Sequence, residues 1–288
     1  MSARDWASLL RVSAVFSVPG DALVGATATG GPPRARTALA AAASLCLYEA
    51  GMTLNDWADR RIDAVERPDR PIPAGRISPA AALGASVGLT AAGLGFAAAA
   101  GRPALRTASA LAASVWAYDL WLKNTPAGPA AMASARTLDV LLGAAATRPA
   151  EMARALPAAG VLGAHTLAVT TVSREEVGGG SSLAPLTALA TTAAVTGHLT
   201  GLRPPRTTTE ATAAGGAALY ATTCGRGYTH AALNPSPPLL QRAVGGGIRA
   251  MIPLQASLAA RAGAVTTALP LLALLPLARR VSRKVSPT

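Results

Sequence analysis

The sequence predicts an all-α, polytopic integral membrane protein: about nine transmembrane helices (range eight to ten) around a central cavity. Three observations predict it. Of the 288 residues, 51% are hydrophobic and only 14% charged, against about 25% charged in ordinary soluble domains. Uncharged runs recur at lengths near the ~20 residues that a bilayer crossing needs: 77–101, 155–173, 177–202 and 262–278. The apolar residues are mostly Ala, Val, Leu and Gly, small side chains that let helices pack closely in lipid.

Other classes are excluded by the same inventory. Cys46 and Cys224 are the only cysteines, too few for a disulfide scaffold or a Cys-built zinc site, and His165, His198 and His230 lack metal-ligand spacing. The formal charge of +12 does not mark a nucleic-acid binder. Its basic residues are scattered between apolar runs, and aromatics for base stacking are scarce. The partner implied is the lipid bilayer, with no nucleic acid.

In chain order the helical candidates are 11–31, 37–55, 77–101, 103–122, 127–147, 155–173, 177–202, 209–225, 238–260 and 262–278. Each is a mostly apolar run, and Gly- and Pro-rich stretches break the series at Gly30–Pro33, Pro71–Gly75, Gly178–Gly180, Pro204–Pro205 and Pro235–Pro238. The runs 209–225 and 238–260, interrupted by glycines and arginines, are the least regular, hence nine helices and not ten. No small-residue cleavage site closes the first run, so it is expected to remain as a helix. No linker divides the chain, and 1–288 reads as a single transmembrane domain.

Lys and Arg in short loops set orientation. Residues 60–76 hold Arg60, Arg61, Arg67, Arg70 and Arg76 and are expected on the cytoplasmic side, with the N-terminus (Arg4, Arg11), Lys123 and Arg174. The tail Arg279, Arg280, Arg283 and Lys284 conflicts with an odd count, since nine helices would place it outside. The expected location is the bacterial cell membrane, with the active-site loops cytoplasmic.

Five of the 14 acidic residues fall between 56 and 69. In Asn55-Asp56-Trp57-Ala58-Asp59-Arg60-Arg61-Ile62-Asp63, residues 55, 59 and 63 stack at i, i+4 and i+8 on a helix, with Asp56 beside Asp59. Clustered carboxylates repel, so a positive partner must hold them. Mg²⁺ fits, because it takes oxygen ligands and shares them with substrate phosphates; ion pairs to the neighbouring arginines on a solvated face are the alternative.

The residues that follow, Arg70-Pro71-Ile72-Pro73-Ala74-Gly75, complete a pattern. Asn-Asp-x-x-Asp-x-x-x-Asp followed by Arg-Pro-Ile-Pro-x-Gly resembles the first motif of the UbiA superfamily of intramembrane prenyltransferases, 4-hydroxybenzoate polyprenyltransferase-like, with Ala74 where Ser is usual. The resemblance implies a UbiA-type fold. It also implies that Asp56, Asp59 and Asp63 bind Mg²⁺, that Asn55, Arg67 and Arg70 lie at the diphosphate of an isoprenoid donor, and that Tyr118 and Lys123 stand near it. Arg136, at i, i+3 from Asp139 within an apolar run, reads either as a structural ion pair or as a third catalytic cation placed toward the diphosphate beside Lys123 and Arg70.

The second motif of the family carries paired Asp residues. Here the place reads Ser173-Arg174-Glu175-Glu176-Val177, which resembles the EboC-like branch of the superfamily. Adjacent glutamates point about 100° apart on a helix. Glu175 and Glu176 are both candidate metal ligands, and Glu176 is favoured because it shares a face with Ser173; Arg174 is a diphosphate partner. The resulting expectation is a Mg²⁺-dependent prenyltransferase acting on a polyprenyl diphosphate donor and a lipid-soluble, aromatic or other, acceptor. The alternative is a membrane protein of the same fold that binds or moves a prenylated metabolite without catalysis.

Overall fold

In the computed structural model, residues 2–10, 12–201 and 204–284 are described. Among them there are eleven α-helices and no strand. A short amphipathic α1 (Ala3–Leu9) is followed by a 3₁₀ stretch (Val12–Ser17) that runs into α2 (Val18–Ala28). Then come α3 (Ala35–Glu66), α4 (Pro79–Ala100), α5 (Arg102–Ala117), α6 (Gly128–Thr147), α7 (Leu156–Ser173), α8 (Leu183–Thr200), α9 (Thr208–Leu233), α10 (Pro237–Arg261) and α11 (Val265–Lys284). Three helical stretches, Ala35–Glu66, Pro79–Ala100 and Pro149–Ser173, are long and apolar enough to cross a membrane by length and composition.

Short connections make sequence neighbours antiparallel, and from α2 onward each helix packs on the next. Leu271 of α11 packs with Ala256 of α10, and Leu275 packs with Ile252. The backbone of α11 therefore returns to the end where α3 finishes. Arg11 lies outside the described residues, as do the side chains of residues 279–284.

The two weakly patterned runs are both full helices. In α10, all residues from Ala250 to Ala260 are buried, because α2, α7, α8, α9 and α11 surround it. Its first half is less covered, with Gln241, Arg242 and Ile248 exposed, and the glycines and arginines there are what break up the apolar run. Helix α3 continues eleven residues past the apolar run, through Glu66, so the acidic strip is helical throughout.

Small residues bring backbones into contact. A Cβ on Gly25 of α2 would lie 1.8 Å from the Val140 carbonyl oxygen of α6, and one on Gly143 of α6 would lie 2.0 Å from the Ala22 carbonyl oxygen of α2. The two helices thus present a glycine to each other's main chain. Beside this seam runs a polar layer deep in the bundle. Arg136 of α6 is paired with Asp21 of α2, and the Gln255 amide of α10 donates to Asp21 at 2.8 Å and to the Ser17 carbonyl at 2.6 Å. Ser44 of α3 donates to Asp139 of α6 at 2.7 Å. His165 is likewise internal, bonded to Tyr220 and to the Gly247 carbonyl.

The α2–α6 seam makes a stability prediction. Neither helix can shift without losing the Asp21–Arg136 layer, so Gly143→Ala is expected to destabilise the detergent-solubilised protein by about 1–3 kcal/mol, the usual cost of overpacking. Gly84→Ala, at a helical position with open space, is expected to raise the thermal midpoint slightly, since alanine is favoured over glycine in a helix by about 0.5–1 kcal/mol. Thermal unfolding of the two variants checks both.

Candidate active site

The predicted strip lies at the end of α3, with Asp56 and Asp63 buried and Asn55 and Asp59 half-buried. The carboxylates do not close on one another: among the described residues no three His, Cys, Asp or Glu side chains gather at one point. Like charges on one helix face repel, and cations hold them instead. One guanidinium nitrogen of Arg70 donates to Asp56 at 3.2 Å and to Asp63 at 2.7 Å. The Lys123 ammonium lies 2.6 Å from Asp59 and donates to the Asn55 carbonyl oxygen at 3.3 Å.

Local structure delivers both cations. The 67–78 connection folds back over α3 through bonds from the Ala74 amide to the Arg70 carbonyl (3.0 Å) and from the Ile77 amide to the Pro71 carbonyl (3.0 Å). Gly75 takes φ 70° there, a left-handed conformation that costs glycine nothing. Ile72 and Ile77 are clamped in an apolar cluster with Trp6 and Leu9 of α1, Trp57 and Ala82. Arg76 reaches Asp5 at 3.0 Å. Lys123 arrives by another device: residues Tyr118–Leu122 form a π-helical turn, and the Lys123 amide bonds to the Tyr118 carbonyl at 2.9 Å. The wider turn shifts the register by about one residue, which the sequence did not reveal.

The remaining candidates gather at the same end with one exception, Arg136. Tyr118 is within electrostatic reach of Asp59, Asp119 and Arg174. Arg174 donates to the Thr125 carbonyl and so ties the 174–182 turn to the 123–127 turn. Glu176 is half-buried and interacts with Arg67; burial pushes its carboxyl up to about 7, and Arg67 opposes the rise. Glu175 sits in the same turn. Its carboxylate packs on Gly180, where a Cβ would meet it at 2.0 Å, and its Oε2 is buried with no hydrogen-bond partner among the described residues. Arg136 is elsewhere. It lies about 12 Å along α6 from that helix's start, committed to Asp21, and the structure does not bring it to the strip.

The oxygen-only set of Asn55, Asp56, Asp59 and Asp63 suits a hard cation such as Mg²⁺. Three carboxylates face two neutralising cations, and that excess of negative charge also favours a divalent ion. Among residues the sequence did not single out, Gln255 is the clearest: an amide inside a long uncharged stretch must find partners in the protein.

The chain belongs to the UbiA prenyltransferase family. The family model matches residues 15–177, more than half of the sequence, from the first pass to the Glu175–Glu176 turn. A digeranylgeranylglyceryl phosphate synthase from Methanopyrus kandleri is 42% identical over 76 residues, 26% of this chain and 28% of that protein. A synthase of the same name from Halobacterium salinarum is 34% identical over 157 residues, 54% of each chain. The chain spans under a third of the length of the first curated relatives it matches. Among solved structures, a UbiA homolog from Archaeoglobus fulgidus bound to DMAPP and Mg²⁺ has a TM-score of 0.61 at 18% identity, covering 86% of this chain and 99% of that one. This last likeness is one of fold. With its apolar helices, the family places the chain among integral membrane proteins.

Glu176 gives a pH prediction. Its carboxyl is raised in the folded protein, so the fold holds this proton more tightly than the unfolded chain does. The contribution is fully present below the ordinary glutamate value of 4.5 and is lost as pH rises through about 7. Metal-free protein is therefore expected to melt several degrees higher at pH 5.5 than at pH 8, and Glu176→Gln is expected to reduce that difference, read by thermal scans across the range.

Proposed function

We propose that the chain is a Mg²⁺-dependent intramembrane prenyltransferase that moves a prenyl group from a polyprenyl diphosphate to a lipid-soluble acceptor. The observation that carries this reading is the neutralised strip itself: Arg70 on Asp56 and Asp63, and Lys123 on Asp59 and Asn55, at one end of an apolar bundle. The names of the two synthases and the donor and Mg²⁺ bound by the Archaeoglobus homolog support it.

Asn55, Asp56, Asp59 and Asp63 would hold the metal, with Glu176 a further ligand from the facing turn. Bound there, Mg²⁺ supplies charge neutralisation for the leaving diphosphate. The chain does the rest. Arg70 and Lys123 release the carboxylates and turn onto diphosphate oxygens, where negative charge grows as the allylic carbon–oxygen bond breaks. Arg67 and Arg174 flank the same site, and Tyr118 stands beside it. The apolar helices below exclude water that would otherwise capture the allylic cation. The donor reaches this site from the bilayer, so the 67–78, 123–127 and 174–182 connections lie on one side of the membrane, and the surplus of Arg and Lys there assigns it to the cytoplasm.

Isothermal titration with Mg²⁺ and a non-cleavable geranylgeranyl thiolodiphosphate tests the site. Wild type is expected to bind the pair far more tightly than Mg²⁺ alone, because metal binding displaces Arg70 and Lys123, which need the diphosphate as a new partner. Asp59→Ala and Asp63→Ala are expected to abolish donor binding while leaving the protein folded. Lys123→Gln should bind Mg²⁺ alone more tightly than wild type but lose at least tenfold in donor affinity. Diphosphate release from geranylgeranyl diphosphate with a panel of acceptors then tests transfer; donor binding without release for any acceptor would favour a binding protein.

The membrane side is read separately. In a background lacking Cys46 and Cys224, Ser78→Cys and Ser181→Cys are expected to label from the same, cytoplasmic side in whole cells. Labelling from opposite sides would mean that the two connections cannot form one site.

A further inference from the structure

Asp21, Glu49, Asp119 and Asp139 are acidic residues set among the helices. Asp21 is held by Arg136 and Gln255, Asp139 accepts from Ser44 through one oxygen while its Oδ1 has no partner and lies beside Arg136, and Asp119 is buried at the level of Gly51. Glu49 of α3 is half-buried, and its Oε2 is sealed from solvent with no hydrogen-bond partner among the described residues. A carboxylate does not face hydrocarbon without cause; in membrane proteins such groups turn toward a cavity or a ligand.

Its register relates it to the site. Glu49, Asp56 and Asp63 recur every seven residues, so they stand on nearly one face of α3. Asp56 and Asp63 define the site by converging on Arg70. Glu49 lies on that face about 10 Å deeper than Asp56. A donor with its diphosphate at the strip would leave that interval for its reactive carbon and an incoming acceptor atom.

We propose that Glu49 is a catalytic residue that takes the proton from a hydroxyl-bearing acceptor, a proposal that rests on the prenyltransferase reading above. The step balances without any other reactant. The allylic carbon–oxygen bond of the donor breaks and its electron pair leaves with the diphosphate. A lone pair on the acceptor hydroxyl oxygen forms the new bond to that carbon. The hydroxyl proton passes to Glu49 Oε2 and leaves with the diphosphate at the site's mouth. An orphan hydrogen-bond acceptor asks for a donor, and an acceptor hydroxyl supplies one. An acceptor presenting only a carboxylate at this level would meet repulsion instead.

Two measurements on the full chain in detergent test this. In the first, dicyclohexylcarbodiimide, a lipid-soluble carboxyl reagent, is followed by mass spectrometry. Glu49 is expected to be modified in the free protein and protected at least tenfold by Mg²⁺ with geranylgeranyl thiolodiphosphate. In the second, Glu49→Gln is expected to bind that analogue within threefold of wild type. With geranylgeranylglyceryl phosphate as the hydroxyl probe, it should release diphosphate from geranylgeranyl diphosphate at least 100-fold more slowly and lose the acid limb of the wild-type pH profile. Glu49→Asp should recover part of the rate. Analogue that binds but does not protect Glu49, or a Glu49→Gln rate within threefold of wild type, overturns the proposal alone. Wild type that binds no analogue overturns the donor reading and this proposal with it.

Discussion

Three carboxylates on one helix face cannot stay together unless something positive holds them, and the candidate site is organised by that constraint. Asp56, Asp59 and Asp63 are tied to α3 by covalent spacing, so their repulsion cannot be relieved by separation. Arg70 and Lys123 relieve it from opposite directions, one from the connection that follows α3 and the other from the end of α5. Each cation must be delivered within hydrogen-bond distance, which explains why the surrounding structure is so strongly fixed. The α1 helix packs Trp6 and Leu9 over Ile72 and Ile77 to hold the Arg70 loop, and a π-helical turn rotates Lys123 into place. Both cations are also suited to a diphosphate, so the contacts that hold the carboxylates are ones a donor could take over.

A second polar arrangement lies deeper and works differently. Asp21, Arg136 and Gln255 join α2, α6 and α10, and Ser44 with Asp139 joins α3 to α6. Removing one partner from a buried pair costs about 3–5 kcal/mol, so this layer fixes how the helices meet. Glycines let it form. With Gly25 and Gly143 against the facing backbones, α2 and α6 approach closely enough for Arg136 to reach Asp21. In lipid no hydrophobic force presses helices together, and close packing with buried polar contacts must supply the association. The Ala- and Gly-rich composition is the chemical form of that requirement.

The sequence by itself determined the all-helical membrane class, since uncharged runs of bilayer length have few other uses. It also determined the acidic strip and its Arg70 loop, because i, i+4 spacing fixes a helix face without reference to anything beyond it. An ion pair is one of the two sequence readings of Arg136, but the nearest acidic residue in the chain, Asp139, says nothing of Asp21 some 115 positions away. Only the tertiary structure decided which cation meets which carboxylate, that α11 packs back along α10, and that Glu49 Oε2 is left without a partner. The physical reason is common to all three. Periodicity reports how residues sit on their own helix, whereas pairing depends on the register and approach of two helices, which is set by packing between distant segments.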